Sequence, residues 1–233
     1  MLFKKNKKRA KKKFTKKKAI IILAIFTIFA GIFISVYPYI LTAIFNYRQQ
    51  SLMNTWILEQ AGIGPSRINE SLSAATDENA PFLINDNYEE DINAFFDFSH
   101  ALRAMVGTLN IPSINLTSPI LNPETEQNLN IGVCEVAGST AAPGEIGNYI
   151  LAGHYSRIRG RHFNRLPEIQ IGASIFISNR YGIFEYEVYE ILQVRAQDTW
   201  AVRLDVQERI ATLVTCDYSV QPFGRIVVKC RLR

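Results

Sequence analysis

Residues 19–47, AIIILAIFTIFAGIFISVYPYILTAIFNY, contain no charged side chain. At a rise of about 1.5 Å per residue, such a run crosses the roughly 30 Å hydrocarbon core of a bilayer with tilt to spare. The competing explanations are a buried core helix and the apolar core of a cleaved signal peptide. The run is too long for a signal core, and Val36-Tyr37-Pro38-Tyr39 makes a poor cleavage site. It reads as a retained transmembrane anchor over residues 19–45. Pro38 is expected to kink or end the regular helix, which leaves residues 19–40 as the span proper.

Charge decides which side the rest of the chain occupies. Of 26 Lys and Arg, eleven lie in residues 1–18, where there is no acid. The remaining 15 face 21 Asp and Glu, so the body of the protein is net −6 despite a formal total of +5. A nucleic-acid binder should carry its positive charge on the folded body, and that class is excluded. The asymmetry instead predicts a basic cytoplasmic tail over residues 1–18, held to anionic membrane lipid, with everything beyond about residue 45 exported. No second apolar span occurs before Arg233. Three cysteines are too few for a disulfide scaffold or a cysteine-only zinc fold.

Residues 46–104 read as an acidic, partly helical stalk or appendage; within it, residues 48–100 hold nine acids against two bases. WILEQ and EEDINAFFDFSHALRAM have helical character, the second with Ile92, Phe95, Phe96, Phe98 and Leu102 roughly on one face. The segment between them, GIGPSRINESLSAATDENAP, reads as linker. From residue 105 to 233 the texture changes to short strand-like runs: TLNIPSINL, NYILAGH, ASIFISN, IFEYEVYEILQV, RIATLVTC and RIVVKCRL. Phe184, Tyr186 and Val188 alternate with Glu185 and Glu187, and Ile226, Val228, Cys230 and Leu232 with Arg225, Lys229 and Arg231. Closely spaced strands without long helices predict an all-β domain, a mostly antiparallel barrel or sandwich.

The last two runs are the place to look for chemistry. Paired as a hairpin, they set Cys216 at the end of one strand beside Arg225 at the start of the next. A thiol at a strand end, near a guanidinium, has what favours thiolate, and the guanidinium fork suits a developing oxyanion. Cys134 and Cys230 read as packing, and a disulfide between them stays open. A cysteine nucleophile usually works with histidine. His100 falls on the packing helix, His162 in the Arg-rich stretch RIRGRHF as a solvated loop residue, and His154 at the end of a strand-like run. Strand ends held by a rigid scaffold are where catalytic groups tend to lie, which favours His154.

These residues resemble a known family. Thr212-Leu213-Val214-Thr215-Cys216 is similar to the TLxTC signature of sortases, the membrane-anchored cysteine transpeptidases of Gram-positive bacteria. The family's histidine falls at His154 within Leu151-Ala152-Gly153-His154, and its arginine at Arg225; IPSINLTSPI resembles its opening strand. The resemblance covers roughly residues 105–233 and implies an eight-stranded β-barrel. It implies that Cys216 attacks the Thr–Gly carbonyl of an LPXTG-like sorting signal on a surface protein and that His154 shuttles the proton. Arg225 would hold substrate or oxyanion, and Thr215 would help shape the substrate-binding site. The acceptor would be an amine of a peptidoglycan precursor. GNYILAGHYS and FGRIVV look most like class A. The implied reaction needs no metal; calcium, bound by some class A members, finds only Glu135 and Glu145 here. The loop at about residues 195–209 should help read the signal. Rival readings are a membrane-anchored cysteine peptidase that hydrolyses its substrate, a class C pilin polymerase, and a non-catalytic surface module.

Overall fold

Helix α1 (Lys16–Gln60) runs through Pro38 without a break, which corrects the expected stop near residue 40. A proline removes one backbone donor, here the one that would meet the Ile34 carbonyl, and the helix continues past it. Nearby, Ser35 Oγ donates to the Gly31 carbonyl at 2.9 Å and Thr42 Oγ1 to the Pro38 carbonyl at 2.8 Å. The computed structural model describes residues 16–62, 97–156, 158, 160–202, 207–219 and 224–233. It divides into one unit ending at Ile44 and a second from Phe45 to Arg233. In the first, large apolar side chains from Ile20 to Leu41 are uncovered, and the helix is long and apolar enough to cross a membrane.

The second unit begins inside the same helix. Phe45, Leu52, Met53 and Trp56 recur at helical spacing and form one buried face, packed with Ala101, Met105, Leu121, Ile131 and Cys134. Two polar ties fix this face: Trp56 Nε1 donates to the Met105 carbonyl at 3.0 Å, and Gln49 Nε2 donates to that of Ile131. Helix α2 (Phe98–Ala104) is N-capped by Asp97 and buries Ala101 and Ala104. The expected linker, with Ile92, Phe95 and Phe96 after it, falls in residues 63–96, outside those described.

The strands are β1 (Met105–Ile111), β2 (Leu116–Leu121), β3 (Val133–Glu135), β4 (Gly147–Ala152), β5 (Ser174–Asn179), β6 (Gly182–Arg195), β7 (Arg209–Asp217) and β8 (Gly224–Leu232), with α3 (Glu126–Ile131) before β3. They close into a barrel in the order β1-β2-β3-β4-β7-β8-β6-β5. The β2–β3 and β4–β7 pairs are parallel. TLNIPSINL, which reads as one strand, is split: Pro112–Ile114 forms a 3₁₀ turn, and Asn115 at φ 49° lets β2 turn back on β1. Leu109, Ile120, Leu151, Ile175, Tyr186, Leu213 and Val228 fill the barrel. A register shift in β6 between Val188 and Glu190 changes which face the strand presents. Before it Tyr186 and Val188 point inward; after it Val194 packs outside with Ala201 and Val227.

Candidate active site

The β7–β8 register sets Cys216 directly opposite Arg225. Leu213 on β7 and Ile226, Val228 and Cys230 on β8 face the barrel core, whereas Val214 and Val227 belong to a cluster outside it. With a period of two, Cys216 and Arg225 share that outer face. Both are partly exposed. The turn after Cys216 is tied by Asp217, which accepts from Ser219 N at 2.8 Å, Ser219 Oγ at 2.7 Å and Gln193 Nε2 at 2.6 Å. Burial alone would raise the Asp217 carboxyl; the hydrogen bonds from Ser219 and Gln193 outweigh it and hold the group below its ordinary value. Sequence reasoning missed this residue, although Asp-Tyr-Ser is an Asx-turn pattern.

Strand β4 runs parallel to β7, with Ala152 opposite Val214, and Gly153 N donates to the Val214 carbonyl at 3.1 Å. Continuing the register by two residues brings the His154 backbone alongside Cys216. Gly153 is required for this entry: a Cβ there would lie 2.7 Å from the Phe163 ring. Thr215 is 2% exposed and donates from Oγ1 to the Gly153 carbonyl at 2.8 Å. The hydroxyl points to the buried side, because its position has the opposite parity to Cys216, and ties β7 to the residue just before His154.

His154 has two neighbours that the sequence did not suggest. Its Nε2 lies 3.6 Å from Glu126 Oε1, on the first turn of α3. Its ring stands edge-on to His162, centroids 6.2 Å apart. His162 corrects the expectation of a solvated loop residue: it is 7% exposed, with φ at 51°. Burial, then the Arg161 guanidinium and then His154 push its pKa down to about 3. The Phe45 ring, far off in sequence, stands edge-on to His162 at 5.5 Å. Tyr155, just after His154, stacks edge-on with Tyr218, just after Cys216, at 5.6 Å. His100 is structural, with Nε2 2.9 Å from Asn128 Oδ1.

On the same outer face, a groove of about 300 Å³ runs from Arg225 past Val214, Val227 and Ile150 to Ala201 and Val202. Its far wall includes part of the β6–β7 loop expected to read the signal; residues 203–206 of that loop lie outside those described. Cys134 and Cys230 are free and buried, as packing predicts, so the disulfide left open between them is not formed. Burial, with a smaller contribution from Glu124, pushes the Cys134 thiol up to about 12, and burial raises Cys230 further. Among the described residues no cluster of three metal-ligating side chains occurs. Glu135 and Glu145 border one surface pocket near Tyr149.

A sortase-domain profile matches residues 109–233. Sortase A of Bacillus anthracis is 32% identical over 114 residues, covering 49% of this chain and 53% of the relative. The chain spans about half the length of the two sortase A relatives matched, the other being from Listeria monocytogenes. Among solved structures, a Clostridium perfringens sortase D5 transpeptidase shares 29% identity, covers 55% of this chain and 79% of its own, and superposes with a TM-score of 0.50. Sortase C1 of Streptococcus agalactiae, at 23% identity, shares the fold over 79% of this chain and 95% of its own, with a TM-score of 0.58.

Proposed function

Because the chain belongs to the sortase family, we propose that it is a membrane-anchored cysteine transpeptidase that attaches surface proteins to the cell wall. One observation carries the reading: Cys216 is paired with Arg225 beside the end of the His154 strand, and Arg225 lines an apolar groove on the same outer face. The groove suits the Leu and Pro side chains of an LPXTG-like signal. The Cys216 thiolate attacks the Thr carbonyl carbon, and Arg225 donates hydrogen bonds to the oxyanion. The intermediate collapses as the Thr–Gly C–N bond breaks, and the His154 imidazolium gives its proton to the departing glycine amine. The resulting thioester stays activated until an amine of a peptidoglycan precursor attacks it. His154 takes that amine's proton and Cys216 leaves as thiolate.

The charge asymmetry supports an N-terminus in the cytoplasm and a catalytic unit outside the membrane. Two curated relatives are named sortase A, which supports the class A reading, whereas the likeness to a C1 enzyme is one of fold. Glu126 favours a second reading, hydrolysis. A carboxylate beside His154 supplies the third member that a cysteine peptidase uses to orient its base.

The test uses the full chain in detergent with a quenched LPXTG peptide, with and without an amine acceptor, read by mass spectrometry. Cysteine-dependent amide product is expected. Free acid alone, at saturating amine, would give the site to the hydrolase.

A further inference from the structure

The His154 loop is braced from outside the barrel, by the helix that also carries the anchor. Phe45 is 8% exposed. The Arg161 guanidinium carbon sits 3.8 Å above its ring, and His162 stands edge-on to it at 5.5 Å. His162 in turn is the ring next to His154. Its left-handed backbone is strained for a residue other than glycine and persists only where the surroundings hold it. They do so on three sides. Tyr155 bridges to His162 across the loop, and Phe163, fully buried, donates its N–H to the His154 carbonyl at 3.0 Å. The third side is Phe45. His162 also borders a small polar pocket with Asn46, Gln49, Asn115 and Ser118, so on that side only the Phe45 ring holds it with an apolar face among the described contacts.

Charge does not provide this brace. With its pKa pushed down to about 3 by burial, Arg161 and His154, His162 is a neutral imidazole at physiological pH, and its buried Nδ1 has no hydrogen-bond partner among the described residues. What it offers His154 is a fixed edge. That edge is fixed in turn by the Phe45 ring, which also carries the cation–π contact with Arg161.

Resting on the transpeptidase reading, we infer that Phe45 and His162 are positioning residues: the end of the anchor helix sets where His154 stands relative to Cys216. The stretch of α1 from Phe45 onward is then part of the active-site scaffold.

The experiment uses the full chain in lipid nanodiscs, as wild type, Phe45→Ala, Phe45→Tyr and Leu52→Ala, with His154→Gln to assign the His154 imidazole resonance by NMR. Kinetics are measured on an LPXTG peptide with an amine acceptor, well below every variant's unfolding temperature. Phe45→Ala should move the His154 resonance and lower kcat about tenfold while KM stays within twofold. Phe45→Tyr should restore both, and Leu52→Ala, which only loosens packing, should change neither. An unchanged His154 resonance and kcat in Phe45→Ala would overturn the inference, as would a Tyr variant as impaired as the Ala variant. If the wild type itself transfers nothing, the proposed function fails, and the resonance alone still decides whether Phe45 positions His154.

Discussion

The two faces of the β7–β8 hairpin are made by one stretch of chain and do opposite work. On the inner face Leu213, Ile226, Val228 and Cys230 are nearly or fully buried in the barrel core. On the outer face the alternate positions carry Cys216 and Arg225, at the edge of an apolar groove. Two cysteines on neighbouring strands differ in parity, and that difference separates a packed thiol from a candidate nucleophile. Burial also raises the pKa of the inner one, Cys230. Under the proposed function, the face a cysteine occupies decides its role.

The largest effect should come from the outer face. Cys216→Ala is expected to abolish turnover, by more than about 10³-fold, with little change in unfolding midpoint; retained activity would remove Cys216 as nucleophile. The inner face should show the inverse. Leu213→Ala, at a fully buried position, should cost about 2–5 kcal/mol of stability by denaturant titration and leave kcat nearly intact in the folded fraction. Arg225→Lys sharpens the outer-face assignment, because a point charge lacks the guanidinium fork. A fall in kcat/KM of about 10- to 100-fold is expected, equivalent to about 1.4–2.7 kcal/mol. Wild-type kinetics would contradict the role.

The effect at His162 appears only when pH is varied. Its pKa falls from 6.5 unfolded to about 3 folded through burial, Arg161 and His154, so between these values the unfolded chain binds the extra proton. The stability His162 contributes is therefore complete above pH 6.5 and is lost as pH falls below it. From pH 7 to 5 the loss is about 2 kcal/mol. His162→Phe should flatten that slope in urea titrations; an unchanged slope would mean that His162 is not buried neutral.

Local pattern explains why some of this was readable in the sequence. Cys216 and Arg225 were legible as neighbours because a hairpin joins them and alternation sets their face. The β8 alternation was read correctly down to Cys230, which the core buries. Strand β3 was not found, since three residues show no period. His162 was misread because the ring beside it, Phe45, arrives through tertiary packing, and Glu126 approaches His154 from another element. The docked face of α1 did leave a trace: Phe45, Leu52, Met53 and Trp56 keep helical spacing. Phe45 lies within an uncharged run that already had an explanation in lipid, and the rest follow directly behind it.

If the outer-face thiol carries the acyl group, it can be trapped. The full chain is incubated with an LPXTG peptide without amine and quenched at low pH, and the modified cysteine is mapped by intact mass and peptide sequencing. A single acyl adduct is expected on Cys216, disappearing into an amide product when amine is added. An adduct on Cys134 or Cys230, or an adduct on Cys216 that amine cannot discharge, would contradict it.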